Sequence, residues 1–186
     1  MRRRNVLSLA GASLLARPAF AQPASARTLR YVPQTDLTVL DPVFTTAYIT
    51  RHHSLMIYDQ LFGLDSNLRP QPQMVESYEA TDHTLTGTFR LREGLRFHDG
   101  EPVRGRDCIA SIRRWGQRDS LGQVLLSRVA EMTTADDRSF TIQLSRPFGP
   151  ILDALGKIGP SALFVMPERV AATDANTQIR ETIGSG

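Results

Sequence analysis

The sequence has one cysteine, Cys108, and one lysine, Lys157, among its 186 residues. A single cysteine excludes an internal disulfide and a zinc site built from cysteines. No run of 18 apolar residues occurs, so no membrane-spanning helix is predicted. The other 21 basic residues are all arginine, which we interpret as the codon bias of a GC-rich genome rather than as an arginine-rich binding surface.

Common catalytic and nucleotide-binding motifs are also absent, including H-E-x-x-H, G-x-S-x-G, G-x-G-x-x-G and the Walker sequence. His52 and His53 are adjacent on a predicted helix, so their side chains point about 100° apart and cannot both face one ion. His98 begins the sequence His98-Asp99-Gly100, which is typical of a turn. The sequence therefore predicts no catalytic residue, no metal ligand and no cofactor, and we interpret the protein as a non-enzyme.

The first 21 residues have the layout of an export signal. A basic segment at Met1–Asn5 is followed by eleven apolar or small residues at Val6–Ala16, and Ala19-Phe20-Ala21 offers small residues at a cleavage site. We therefore predict a signal peptide over residues 1–21, export by the general or the twin-arginine route, and a periplasmic location. No cysteine follows the cleavage site, so no lipid anchor is expected there.

Removing this segment changes the charge of the chain. The whole sequence has 22 Lys and Arg against 19 Asp and Glu, a formal charge of +3. Four of the arginines lie in the signal, so residues 22–186 have 18 basic against 19 acidic side chains and a formal charge of −1. A nucleic-acid partner attracted by bulk charge is therefore not expected.

The rest of the pattern predicts an α+β fold with mainly antiparallel strand pairing. Alternation is clearest over Thr84–Arg92, where Leu85, Gly87, Phe89 and Leu91 share one face. Helical spacing of apolar residues predicts helices, and Asp41-Pro42 and the prolines of Asn67–Pro72 predict turns or extended chain. The predicted strands are Thr28–Val32, Thr84–Arg92, Arg128–Thr133, Ser139–Ser145 and Ala162–Met166, and the predicted helices are Thr45–Phe62, Arg106–Trp115 and Pro150–Gly156.

One stretch is more specific than any of these patterns. Leu91-Arg92-Glu93-Gly94-Leu95-Arg96-Phe97-His98-Asp99-Gly100-Glu101-Pro102-Val103, followed by Asp107 and by Ser111-Ile112-Arg113-Arg114, resembles the signature of the family 5 extracellular solute-binding proteins of ABC importers. That family includes peptide- and nickel-binding proteins. Further matching segments occur in the family's order, and these are Leu40–Pro42, Ile57–Phe62, Leu68–Glu76, Phe140–Pro147 and Thr182–Gly186.

The resemblance implies a periplasmic binding protein-like fold of type II, in which two lobes close over a ligand. It implies that residues 22–44 form the first strand and loop of lobe I and that residues 45–160 form a subdomain inserted in that lobe. Residues 161–186 would form a return strand toward lobe I, ending before lobe II. We therefore expect an N-terminal fragment with part of the first lobe only. The Phe97–Pro102 stretch is interpreted as a structural turn.

The resemblance also implies the function and its site. We expect a periplasmic substrate-binding component that captures a small solute, a peptide in the first place, and delivers it to the permease and ATPase subunits of an ABC importer. Carried over by position, the ligand-binding residues are Thr45, Thr46 and Tyr48, with Gly122 and Gln123 in a second loop. The alternative for Thr45 and Thr46 is that one of them caps the following helix. A monomer is expected.

Other functions stay open from the sequence. A secreted metal-dependent hydrolase would use His52, His53 or His98. A non-transport scaffold or sensor on the same fold, or a non-functional truncated remnant, would need no catalytic residue. The solute could also be a metal chelate, a sugar or an opine, because half of a two-lobed site is not covered by the resemblance.

Overall fold

A computed structural model describes residues 28–81 and 85–186, so the predicted signal peptide lies outside the described residues. Residues 34–186 form one unit, and residues 28–33 belong to a separate one. The domain boundaries predicted at residues 44 and 160 lie inside the larger unit and stay predictions. No described helix is long and apolar enough to cross a membrane.

Residues 28–33 are exposed and have no regular structure, so the strand predicted over Thr28–Val32 is wrong. A strand needs a neighbour to take up its backbone hydrogen bonds, and these residues take part in no ladder of the described chain.

Within the described residues, the larger unit combines short helices with two antiparallel sheets, which confirms the α+β class. Strands β1 (Phe62–Leu64) and β2 (Pro70–Pro72) form a small sheet. The larger sheet has the order β3 (Val75–Thr81), β4 (Thr86–Leu91), β6 (Ser139–Leu144) and β5 (Val129–Asp136). In chain order the elements are α1 Tyr48–Ser54, β1 Phe62–Leu64, β2 Pro70–Pro72, β3 Val75–Thr81, β4 Thr86–Leu91, α2 Gly105–Gly116, α3 Ser120–Leu126, β5 Val129–Asp136, β6 Ser139–Leu144, α4 Ile151–Leu155 and α5 Glu168–Ala171.

The two central strands of the larger sheet follow the predicted alternation. Gly87, Phe89 and Leu91 are buried in β4, whereas the intervening Thr88 and Arg90 are exposed. The rings of Phe89 and Phe140 on the neighbouring strand β6 are stacked with centroids 4.9 Å apart. The edge strand β3 was not predicted, because an edge strand with only Val75 fully buried carries no apolar alternation.

Helix α2 covers one face of this sheet and confirms the predicted helix over Arg106–Trp115. Ile109, Ile112 and Trp115 are buried, and the Trp115 indole N–H donates to the carbonyl of Ser161 (2.5 Å). Asp107 lies in the first turn, where its carboxylate accepts the backbone N–H of Arg104 (2.7 Å). The sequence patterns therefore locate the central packing of the fold correctly.

Two predicted elements differ from the structure. The helix predicted over Thr45–Phe62 is reduced to α1, because residues 59–61 are outside any helix and their carbonyls accept backbone N–H groups of residues 73–75 and 165. Tyr48 and Leu55 are exposed, so the apolar spacing used for that prediction does not define one buried face.

The strand predicted over Ala162–Met166 is fully buried but joins no ladder. Its backbone instead uses isolated partners: the N–H of Val165 donates to the carbonyl of Asp59 (3.0 Å), and the N–H of Met166 donates to the Ser111 hydroxyl (2.9 Å). Its side chains alternate between two apolar clusters. Leu163 and Val165 join the cluster under the sheet, and the others join a smaller cluster that contains Tyr58, Val170 and Ile179.

Candidate functional site

The segment predicted to bind ligand begins at the Asp41-Pro42 turn, which is tied into the interior. Asp41 is fully buried and forms a bidentate ion pair with Arg114 of α2, with Nη1–Oδ1 and Nη2–Oδ2 distances of 3.0 and 2.7 Å. Its carboxylate also accepts the backbone N–H groups of Val43, Phe44 and Ile179 at 3.0 to 3.2 Å. The turn before the candidate site is therefore rigidly held.

The charge state of Asp41 follows from these contacts. Burial alone raises the pKa of this carboxyl group, but the hydrogen bonds from Arg114 and from the amides of Ile179 and Val43, together with the positive charge of Arg114, outweigh it. The pKa of Asp41 is therefore held below its ordinary value of 3.8. Burial is the main cause that raises the pKa of Tyr58 to about 12, and the negative charge of Asp41 adds to this effect.

Thr45, Thr46 and Tyr48 lie directly after this turn on an accessible surface. Thr45 is half-buried, Thr46 is exposed, and Tyr48 begins α1 with 52% of its surface exposed. The Thr45 hydroxyl accepts the backbone N–H of Ala47 (3.2 Å), which is itself the N-cap residue of α1. Helix α1 has no side-chain cap, so the capping alternative for these threonines is wrong.

Gly122 and Gln123 do not lie in a loop as predicted but in helix α3. Asp119 caps this helix by accepting the N–H groups of Leu121 and Gly122, both at 3.0 Å, and forms a short ion pair with Lys157. The sequence Asp119-Ser120 before an apolar run is the signal that could have identified the helix.

The two positions in α3 have different surroundings. Gly122 is buried against α2, where a Cβ atom would lie 2.7 Å from the Cα of Gly116 and 3.0 Å from the Trp115 ring. Gln123 is exposed, and its amide donates to the carbonyl of Gln117 (3.0 Å). Packing of α3 on α2 thus accounts for the glycine, whereas the glutamine side chain remains accessible.

The end of α2 connects the two segments predicted to bind ligand, one with Thr45, Thr46 and Tyr48 and the other with Gly122 and Gln123. Arg118 follows α2, and its guanidinium donates to the carbonyl of Phe44 (3.3 Å), next to Thr45. It also donates to the side-chain oxygen of Asn176 (2.8 Å). The Arg118 side chain therefore connects the region before α3 with the segment that precedes α1.

Arg51 is a feature of this surface that the sequence analysis missed. It lies one turn after Tyr48, and its guanidinium carbon is 4.7 Å from the centroid of the Tyr48 ring. Its Nη1 donates to the carbonyl of Ile158 (3.3 Å). The available signal was an arginine three residues after an exposed tyrosine on the same helical face.

The family signature forms a turn, as predicted. Gly100 has a positive φ of 87°, and the Asp99 carboxylate accepts the N–H of Glu101 (3.1 Å). Phe97 is buried, and its N–H donates to the carbonyl of Glu101 (2.8 Å). Arg169 reaches the same turn through an ion pair with Asp99 (2.8 Å). These contacts give the signature residues a role in the fold.

The three histidines that the structure describes are divided between two regions. His52 and His53 lie in α1, whereas His98 belongs to the signature turn, where its ring Nε2 is 3.0 Å from the carbonyl oxygen of Gly186. Within residues 28–81 and 85–186 no group of three or more His, Cys, Asp or Glu side chains is arranged to hold a metal ion. Cys108 is fully buried, and burial raises the pKa of its thiol, so it packs as a small apolar residue.

Four cavities of about 300 to 410 Å³ border helices α2 and α5 or the chain that follows α5. Their charged side chains include Arg106 with Glu168 and Arg169 with Glu181, which pair with each other. None of these four cavities is lined by Thr45, Thr46 or Tyr48.

Known proteins resemble this chain in sequence and in structure. It is 45% identical over 163 residues, 88% of the chain, to the "Probable peptide ABC transporter periplasmic-binding protein y4tO" of Sinorhizobium fredii (strain NBRC 101917 / NGR234). It is 28% identical over 160 residues, 81% of the chain, to the "Glutathione-binding protein GsiB" of Escherichia coli O6:K15:H31. The chain spans 30% of the length of each of these relatives.

Among solved structures, "the PBP AgaA in complex with agropinic acid from A.tumefacien R10" matches 81% of this chain with a TM-score of 0.65 and 27% identity, over 30% of its own length. The fold is therefore that of part of a periplasmic binding protein. The family model described as "Bacterial extracellular solute-binding proteins, family 5 Middle" matches residues 69–186, more than half of the chain. The chain therefore belongs to the family 5 bacterial extracellular solute-binding proteins.

Proposed function

We propose that this protein captures a small peptide in the periplasm and delivers it to the permease of an ABC importer. The 45% identity to a probable peptide ABC transporter periplasmic-binding protein carries the proposal. AgaA, whose structure holds agropinic acid, is less similar at 27% identity, which favours a peptide over an opine. The export signal expected at residues 1–21 supports the periplasmic location.

The surface after the Asp41-Pro42 turn supports this function chemically. Thr45 and Thr46 supply hydroxyl groups, and Tyr48 supplies an exposed ring and a phenol. Such groups can hydrogen-bond a peptide backbone and pack against its side chains. The Gln123 amide is a further polar group of the proposed site, whereas Gly122 contributes through its packing.

A capture protein needs no reaction at this surface. Its affinity would come from closure of two lobes over the solute, since the ligand selects the closed state. The ATPase partner of the importer would supply the energy for transport. The protein itself would act as a monomer that binds the solute reversibly.

The function can be tested by affinity selection from a mixture of tripeptides. The full chain as its gene encodes it is mixed with the peptides, separated by gel filtration, and the retained peptides are identified by mass spectrometry. Enrichment of particular tripeptides is the expected result. Retention of none would refute peptide capture.

The site is tested by titration of a retained tripeptide against two variants. Thr46→Ala and Tyr48→Ala are each expected to weaken binding by about 1 kcal/mol or more, because each removes a polar group that contacts the ligand. Thr133→Ala, which removes an exposed threonine hydroxyl on the edge strand β5, is the matched control and should bind as tightly as the original protein. Unchanged titration curves for both site variants would remove these residues from the site.

A further inference from the structure

Arg51 is held in place by groups that do not neutralise it. Its guanidinium lies over the Tyr48 ring and donates to the carbonyl of Ile158, as described above. Its Nη2 is 3.4 Å from Nε2 of His52. An aromatic face, a carbonyl and an imidazole fix the position of the charged group, but none of them carries a negative charge.

The positive charge of Arg51 has no acidic partner in the part of the chain that the structure describes. No carboxylate lies within 4.0 Å of its nitrogen atoms there, and residues 42–58 contain no Asp or Glu. Its Nε is buried and has no hydrogen-bond partner among the described residues. By contrast, Arg114 and Arg169 each pair with a carboxylate within 2.9 Å.

A guanidinium has five N–H donors in a planar fork that matches a carboxylate. Arg51 has donors left over after its contacts with Ile158 and His52. It stands one helical turn from Tyr48, which belongs to the proposed ligand surface. A guanidinium that is fixed in position and has no acidic partner among the described residues, beside an exposed aromatic ring, is suited to a ligand whose carboxylate adjoins an uncharged portion.

We propose that Arg51 binds a carboxylate of the solute, with the Tyr48 ring holding the guanidinium in position. This inference rests on the proposed capture function and narrows its substrates to carboxylate-bearing molecules such as peptides with a free C-terminus. Thr46 and the Tyr48 phenol then contact the neutral part of the same solute.

Two tripeptide pools of identical sequences test this inference, one with free C-terminal carboxylates and the other with C-terminal amides. Each pool is presented to the full chain as its gene encodes it, and dissociation constants of the retained peptides are measured by calorimetry. The original protein should prefer the carboxylate form by about tenfold or more, since hydrogen bonds to a charged group are the stronger ones.

Arg51→Gln should abolish this preference while binding the amide form as before. Arg51→Lys should retain part of it, because an ammonium keeps the charge without the fork. Arg113→Gln is the matched control, since Arg113 is exposed on α2 and its side chain has no hydrogen-bond or ion-pair partner among the described residues. This control removes the same charge and should keep the preference.

The outcomes separate the inference from the function on which it rests. A preference that survives in Arg51→Gln, or equal binding of both forms by the original protein, would overturn the role of Arg51 and leave peptide capture intact. Equal weakening of both forms in Arg51→Gln would show a structural effect and would also overturn it. Retention of neither pool would refute peptide capture and, with it, this inference.

Discussion

The four-stranded sheet and the segments around Asp41 hold buried chain in two different ways. In the sheet, each strand satisfies its backbone groups through a repeating ladder, and its apolar face packs under α2. Around Asp41 no ladder exists, and two charged side chains accept and donate the hydrogen bonds instead. A repeating pattern spreads stability over many residues, whereas the second arrangement concentrates it on one ion pair.

The hydrogen-bond partners of Asp41 and Arg114 show how much of the buried structure depends on this ion pair. The Asp41 carboxylate accepts two N–H groups of Arg114 and three backbone N–H groups, and the guanidinium of Arg114 donates in addition to two backbone carbonyls. Those carbonyls belong to Thr173 and Thr177, each 3.0 Å away. Removing one side chain of this pair therefore leaves several buried polar groups without partners.

The largest effect is expected for Arg114→Met. It leaves the Asp41 carboxylate buried without its counter-ion, and breaking a buried pair in this way costs about 3–5 kcal/mol of unfolding free energy. Urea unfolding followed by circular dichroism measures the loss. Arg113→Met, at the exposed neighbouring position, should change the unfolding free energy little. Similar unfolding free energies of the two variants would show that stability does not depend on the Asp41–Arg114 ion pair.

The pH dependence of stability addresses the same pair. Because the pKa of Asp41 is lower in the folded chain than its ordinary 3.8, its contribution is present above that pH and is lost as the pH falls through the folded pKa. Unfolding free energies measured from pH 6 down to about pH 2 should fall. The unfolding free energy of Asp41→Asn should fall less steeply with decreasing pH. The fall that remains in this variant would come from Asp65, Asp99 and Asp136, whose pKa values are also lowered. Parallel curves for the two proteins would contradict the expected role of Asp41.

An intermediate effect is expected at the contact between α2 and α3. Gly122→Ala places a Cβ against the backbone of Gly116, and such overpacking costs about 1–3 kcal/mol. Gly149→Ala is the control, because no atom of a described residue other than its chain neighbours lies within 4 Å of a Cβ there. Thermal unfolding compares the two variants, and equal melting temperatures would show that α3 shifts at no cost.

The smallest effect is expected inside the sheet. Ile142→Val removes one buried methyl group from β6 and should cost about 0.5–1.5 kcal/mol, since the surrounding ladder stays intact. Gln143→Ala, on the exposed face of the same strand, should stay within about 0.5 kcal/mol of the original protein. A loss at Ile142 as large as that of Arg114→Met would remove the distinction between the two regions.

The same distinction explains what could be predicted from the sequence. Alternation located β4 and β6, and helical spacing located α2, because these elements repeat a local pattern. The segment Ala162–Met166 is an apolar run bounded by Pro167, which is also typical of a buried strand. Its hydrogen-bond partners come from Asp59 and Ser111, far away along the chain, so no local pattern shows that it forms no ladder. The position of α3 was missed although Asp119 gave a capping signal.

The candidate site was predictable only in part. Family resemblance, and not periodicity, indicated Thr45, Thr46 and Tyr48, and their accessibility agrees with a surface role. The capping signal of Asp119 could have placed Gly122 in a helix, but the need for glycine there could not be predicted, because it arises from the close approach of α2. Arg51 was missed because its surroundings depend on Ile158, a residue 107 positions away.

The contact of Asp41 with Ile179 joins residues 138 positions apart, and its pair with Arg114 spans 73. The sheet and α2 are complete in the chain by residue 144, so they can collapse while the Asp41 carboxylate still lacks its last partner. We expect the Asp41 network to close late in folding, as non-local contacts are the slow ones to form. The sheet and α2 would thus pack on each other before the aspartate is sealed from water.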